Sequence, residues 1–89
     1  MTREVYQTKA FKRDIRKMVK RAKNLEKLYT VIELLAEGAR LPTKYRDHNL
    51  TGNWQGCREC HIEPDWLLIY EINDNSLFLN RTGSHSDLF

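Results

Sequence analysis

Three histidines and one aspartate stand where they could move protons. His48 lies in a stretch without periodicity, His61 near the end of a strand-like run, and His85 beyond the last such run; Asp65 and Trp66 follow shortly after His61. Histidine titrates closest to neutral pH, so imidazoles that converge with a carboxylate suit general acid and base work. Convergence requires the Glu63-Pro64-Asp65 turn and the segment after Arg81 to meet on one side, near the loop around His48. Two other readings stay open. Each histidine could be an isolated polar surface residue, or His48, His61, Asp65 and His85 could hold a catalytic divalent metal with one open position. The histidines form no helical i, i+4 pair, and Arg81 near them would oppose a bound cation.

Cys57-Arg58-Glu59-Cys60-His61 has the form of a c-type haem attachment motif and of half a zinc site. Neither is expected. Haem attachment needs export, for which no signal is visible, and a structural zinc site wants a second tightly spaced pair. Residues three apart on a strand also point to opposite faces, so the two thiols should diverge. No cofactor or metal is expected, and two cysteines are too few for a disulfide framework.

The elements that must position these groups follow from periodicity. Phe11, Ile15, Met18, Val19 and Ala22 form one helical stripe with Thr8 as N-cap, and Leu25, Leu28, Val31, Ile32 and Leu35 form a second, capped by Asn24 and stopped at Gly38. A helical hairpin results. Arg3 to Gln7 reads as a short strand entering the sheet, and Ala39 to Thr51 as a loop. Three strand runs follow, Trp54 to Ile62, Trp66 to Ile72 and Ser76 to Arg81, joined by Glu63-Pro64-Asp65 and Asn73-Asp74-Asn75 turns. The middle run, apolar at almost every position, is a central strand covered on both faces. The order predicts one α+β domain over residues 1–89, with the hairpin on one sheet face and the other left for a ligand.

The 89-residue chain carries a net charge of +3, unevenly spread. Residues 1–27 hold ten Lys/Arg against three acids, whereas residues 28–89 hold five against nine. Such a polycationic block attracts RNA, DNA or an acidic protein, although a solvated helix face reads the same way. No apolar stretch approaches the roughly 18 residues of a membrane span and no leader is visible, so a cytoplasmic protein is expected.

Three segments together carry a resemblance. Tyr45-Arg-Asp-His48-Asn-Leu-Thr-Gly52-Asn-Trp54, Arg58-Glu-Cys-His61-Ile-Glu-Pro64-Asp65-Trp66-Leu-Leu-Ile-Tyr70 and Arg81-Thr-Gly83-Ser-His85-Ser-Asp-Leu-Phe89 closely resemble the YafQ-type branch of the RelE/ParE toxin-antitoxin superfamily. The match is ordered and spans about half the chain; the helices are similar only in pattern.

This resemblance implies a RelE-like, microbial RNase-type fold with the helical hairpin on a twisted, mainly antiparallel sheet. It implies a type II toxin that cleaves mRNA on the ribosome without a metal, controlled by a DinJ- or RelB-like antitoxin whose complex binds operator DNA. The implied catalytic set is His48, His61, Asp65 and His85, with Trp66 and Phe89 shaping the site. The 2′-hydroxyl would attack the adjacent phosphate, with Asp65 or His48 as base, His85 as acid, and His61 or Arg81 stabilising the added charge. Lys12, Arg13, Arg16, Lys17, Lys20 and Arg21 would face ribosomal RNA, Trp66 could stack a base or be buried core, and Phe89 could touch substrate or fray. The alternatives are a non-catalytic RNA- or DNA-binding module and a metal-dependent nuclease.

Overall fold

The computed structural model describes residues 2–89. In chain order it contains strand β1 (Glu4–Gln7), helices α1 (Lys9–Lys20) and α2 (Leu25–Ala36), and strands β2 (His48–Asn49), β3 (Arg58–Glu63), β4 (Trp66–Asn73) and β5 (Ser76–Gly83). A final turn of helix, α3 (His85–Leu88), follows. The strands form one sheet in the order β1-β5-β4-β3-β2, with β1 parallel to β5 and the other pairs antiparallel.

Local chemistry sets the helix ends. Thr8 Oγ1 accepts the Phe11 N–H at 3.0 Å and donates to the Asn80 carbonyl at 2.8 Å, so the cap that starts α1 also ties it to β5. Asn24 Oδ1 accepts the Glu26 N–H at 3.0 Å and starts α2. Between the helices Ala22 takes a left-handed φ of 58°, which ends α1 before it.

Both helices pack on one sheet face. Phe11, Met18, Leu28, Val31 and Leu35 bury themselves against Cys60, Trp66, Leu68, Tyr70, Leu77 and Leu79. A smaller cluster of Cys57, Leu67, Ile69 and Leu88 sits on the other side, with Leu50 and Trp54 against it. Strand β4 therefore contributes to both cores, which is why its sequence is apolar without alternation. The two thiols divide between the clusters as strand geometry requires, and burial pushes the Cys60 thiol up to about 12.

Several expectations are corrected. Val19 is 56% exposed and Ala22 lies outside the helix, while Asp14 takes a buried place on α1 because its carboxylate binds Arg81 and the Thr82 N–H. The expected loop over 39–51 contains a 3₁₀ turn at Thr43–Tyr45 and the short strand β2. The strand expected from Trp54 starts at Arg58, since Gly52–Trp54 is a 3₁₀ turn and Gly56 has a φ of 92°. Helix α3 was not anticipated.

Candidate active site

The site is built on the sheet face away from the main helical core. Alternation along β3 sends Cys60 and Ile62 toward the helices and Glu59 and His61 to the opposite side. His48 is the cross-strand partner of Glu59, so its side chain joins them. The Glu59 Oε1 lies 3.9 Å from His48 Nε2 and 3.8 Å from His61 Nε2, ionic contacts longer than hydrogen bonds. Glu59 was missed in the sequence. Its signal was the period of two: it stands two residues before His61 on the same strand.

His48 is held from both sides. A carbonyl can only accept, so the His48 Nδ1–H donates to the Arg46 carbonyl at 2.8 Å, and the lone pair of the neutral ring sits on Nε2. The Arg58 guanidinium grips the flanking residues, donating to Asp47 at 2.7 and 3.3 Å and to Asn49 Oδ1 at 2.6 Å. The Tyr70 hydroxyl also donates to Asp47. Burial and then this carboxylate hold the Tyr70 phenol above its ordinary range, and hydrogen bonding to Asp47 does the same for Arg58.

His85 opens α3, and that turn is fixed by a reciprocal cap. Ser84 Oγ accepts the Asp87 N–H at 3.2 Å, and Asp87 Oδ2 accepts the Ser84 N–H at 2.9 Å. Arg21 then binds both Asp87 oxygens, at 2.5 and 2.9 Å, joining α1 to α3. Asp87 is held well below the usual carboxylate range, first by Arg21 and then by Ser84. The His85 N–H and Nδ1–H both donate to Asp65 Oδ1, at 2.8 and 2.6 Å. These bonds, the backbone one first, lower the Asp65 pKa.

Space under α3 is tight. A Cβ at Gly83 would lie 2.9 Å from Asp87 Oδ2 and 3.0 Å from Asp87 Cβ. Gly83→Ala is expected to destabilise the fold by about 1–3 kcal/mol, because the cap that positions His85 must shift. A lower melting temperature than wild type checks this.

His61 lies between the other two histidines, with ring centroids 6.3 Å from His48 and 5.8 Å from His85. Burial pushes its pKa below the ordinary value against the pull of Glu59, and His85, Arg46 and His48 add to the push. Its Nδ1 is buried without a hydrogen-bond partner. Ligand atoms of Glu59, His61 and His85 lie within 4.8 Å of one another, close enough to share a cation. That trio, without His48 or Asp65, is the metal-competent group among the described residues.

Other expected site residues divide. Trp66 is fully buried on the helical side, its Nε1–H donating to Thr82 Oγ1 at 2.9 Å, so it is core and has no open face for a base. Arg81 spends two donors on Asp14, at 2.7 and 3.0 Å, and braces β5 against α1. Phe89 is 64% exposed directly after α3 and is available to a ligand. Lys12, Arg13, Arg16, Lys17 and Lys20 are exposed and unpaired among the described residues, whereas Arg21 is committed to Asp87.

Two helices on a mixed sheet, with histidines and carboxylates gathered on the face they leave uncovered, define an α+β domain of RelE-like fold. Residues 3–89 match the family model described as "Bacterial toxin of type II toxin-antitoxin system, YafQ". The chain belongs to that family. It is 40% identical over 88 residues to the mRNA interferase toxin YafQ of Escherichia coli K12, covering 98% of this chain and 96% of that one. The toxin in the crystal structure of the E. coli DinJ-YafQ toxin-antitoxin complex superposes with a TM-score of 0.92 at 39% identity, over 100% of this chain and 99% of that one. A metal-bound toxin from Helicobacter pylori gives 0.92 at 44% identity, with both chains fully covered.

Proposed function

We propose that this chain is an endoribonuclease that cuts mRNA on the ribosome by general acid-base catalysis. The observation that carries the reading is the row His48, His61, His85 on one open face, with a carboxylate in contact with each. His48 Nε2 is the base: its opposite nitrogen is tied to a carbonyl, so the ring has one lone pair to offer. It takes the proton of the ribose 2′-hydroxyl, whose oxygen attacks the adjacent phosphorus in line. His85 is the acid. Asp65 holds its Nδ1–H, which orients the ring and points Nε2–H outward to protonate the departing 5′-oxygen. The products are a 2′,3′-cyclic phosphate and a 5′-hydroxyl. Asp65, already bound twice by His85, orients the acid and is not the base. His61 stands between the two and offers an N–H to the phosphorane, the role that Arg81 cannot fill while Asp14 holds it.

A second reading rests on Glu59, His61 and His85. The Helicobacter relative binds a metal, and the three converging donors of Glu59, His61 and His85 fit a divalent cation here. Bound there, a cation would polarise phosphoryl oxygen as a Lewis acid. Purified ribosomes, a defined mRNA and a chelator separate the readings. Cleavage that survives chelation supports acid-base catalysis by the histidines, cleavage lost on chelation supports the metal, and no cleavage rejects both.

The free cations of α1 supply the docking surface for ribosomal RNA. Reversing Lys12, Arg16 and Lys20 to Glu is expected to weaken ribosome association at least about tenfold at low salt and to flatten its salt dependence, because fewer counterions are displaced. Co-sedimentation across a salt series measures this; unchanged association at low salt removes the electrostatic docking. The control partner is a DinJ-like antitoxin, and the setting is the cytoplasm. No helix among the described residues is long and apolar enough to cross a membrane.

A further inference from the structure

We infer that the cavity beside His61 is a subsite for a nucleotide flanking the scissile bond, with Arg46 as the residue that binds its phosphate. This rests on the reading that the histidines cleave RNA. The cavity has a volume of about 590 Å³ and is walled by Thr30 of α2, by Lys44, Tyr45 and Arg46, and by His61 and Pro64 at the end of β3. Pockets that hold small ligands span about 300–1,000 Å³, so one nucleotide fits with its neighbours outside. Because His61 forms part of the wall, whatever fills the cavity is next to the groups that do the chemistry.

Charge makes the occupant an anion. Glu63, an acid in the wall, is bridged by Lys23 and Lys27 at 3.1 and 3.0 Å. Lys44 and Arg46 have no carboxylate partner among the described residues, so two uncompensated cations remain among the lining residues. Tyr45 carries the Lys44 ammonium 5.1 Å above its ring, and Pro64 supplies an apolar wall for sugar and base. A phosphate with a ring attached matches that distribution better than a free anion or an apolar ligand does.

Arg46 is also a costly choice of residue at its place. It follows the 3₁₀ turn with φ 51° and ψ 44°, a left-handed conformation that Gly or Asn adopts more easily. A backbone outlier of this kind, next to a reacting group, is grounds for a functional role. Its carbonyl accepts from His48 and the residue itself lines the cavity, so one residue would set both the base and the neighbouring phosphate. With Arg81 bound to Asp14, Arg46 is the arginine placed to hold the strand here.

The test uses the whole toxin on mRNA-programmed ribosomes in single turnover. Arg46→Asn tolerates the left-handed backbone and keeps the carbonyl that anchors His48; Arg46→Lys keeps the charge. Matched mRNAs carry a neutral methylphosphonate at the linkage on one or the other side of the scissile phosphate. Arg46→Asn is expected to lower cleavage efficiency about 10- to 100-fold, the size of a hydrogen bond to a charged group, mainly through a higher half-saturating toxin concentration. Arg46→Lys retains most of the efficiency. One of the two methylphosphonates should cost the wild type a similar factor and cost Arg46→Asn almost nothing more. Wild-type efficiency in a folded Arg46→Asn protein overturns the subsite, as does a loss that multiplies independently with both methylphosphonates. If the wild type fails to cut unmodified mRNA, it is the ribonuclease reading that fails.

Discussion

Replacing His85 by alanine is expected to slow mRNA cleavage about 10²- to 10⁴-fold while leaving ribosome association close to wild type. The size follows from the proposed role: without an acid, the 5′-oxygen would have to leave as an alkoxide or take its proton from water. The imidazole reaches outward from a turn fixed by Ser84, Asp87 and Arg21, none of which depends on the ring. Its side chain is 54% exposed, so truncation leaves no core cavity. Asp65 would lose the Nδ1–H and keep the backbone N–H of residue 85. A matched melting curve with lost cleavage therefore isolates chemistry from stability. Wild-type cleavage by this variant would remove His85 from the catalytic set and shift the acid to another group.

Asp65→Asn makes a smaller change at the same point. An amide oxygen still accepts from His85 but more weakly than a carboxylate, so the ring is held less firmly and cleavage should fall by less than for the missing imidazole. Equal losses in the two variants would mean that Asp65 acts directly on the substrate.

Much of this arrangement is legible in the sequence because it rests on local periods. Two helical stripes, their Thr8 and Asn24 caps and an unbroken apolar strand at Trp66 to Ile72 announce helices on a sheet. The three histidines stand out because imidazole is scarce and chemically distinct. What the sequence concealed are relations between segments far apart in the chain. Nothing near Arg81 shows that Asp14 of α1 will take its guanidinium, and nothing near Arg21 shows its claim on Asp87. Both arginines looked available for phosphate because charge is visible in a sequence and its partner is not. Glu59 was hidden for the opposite reason: one acid in a strand looks like surface until pairing with His48 places it among imidazoles. Misplacing the strand start at Trp54 had a local cause instead, since Gly56 at positive φ breaks a run that composition alone would continue.

Trp66 is where a motif residue and a core residue compete most directly, and the two roles predict different outcomes. Its side chain has no exposed area, its indole N–H is satisfied by Thr82 Oγ1, and that hydroxyl in turn donates to the Leu67 carbonyl at 2.7 Å. Lys23 lies 5.9 Å over the ring from the helical side. Trp66→Ala should cost about 3–5 kcal/mol through lost burial and the cavity left behind, a large share of the roughly 5–15 kcal/mol that holds a domain together. Trp66→Phe keeps an aromatic ring in the core and gives up the hydrogen bond to Thr82, worth about 1 kcal/mol, together with some volume. That second variant should melt earlier and, held well below its melting temperature, cleave within a few-fold of wild type. Base stacking would show the reverse pattern, with folded Trp66→Ala binding and cutting poorly in proportion to the lost ring and Trp66→Phe rescuing it without regard to temperature. Denaturation midpoints read beside single-turnover rates on the same preparations distinguish a tryptophan that builds the sheet under the histidines from one that reads RNA.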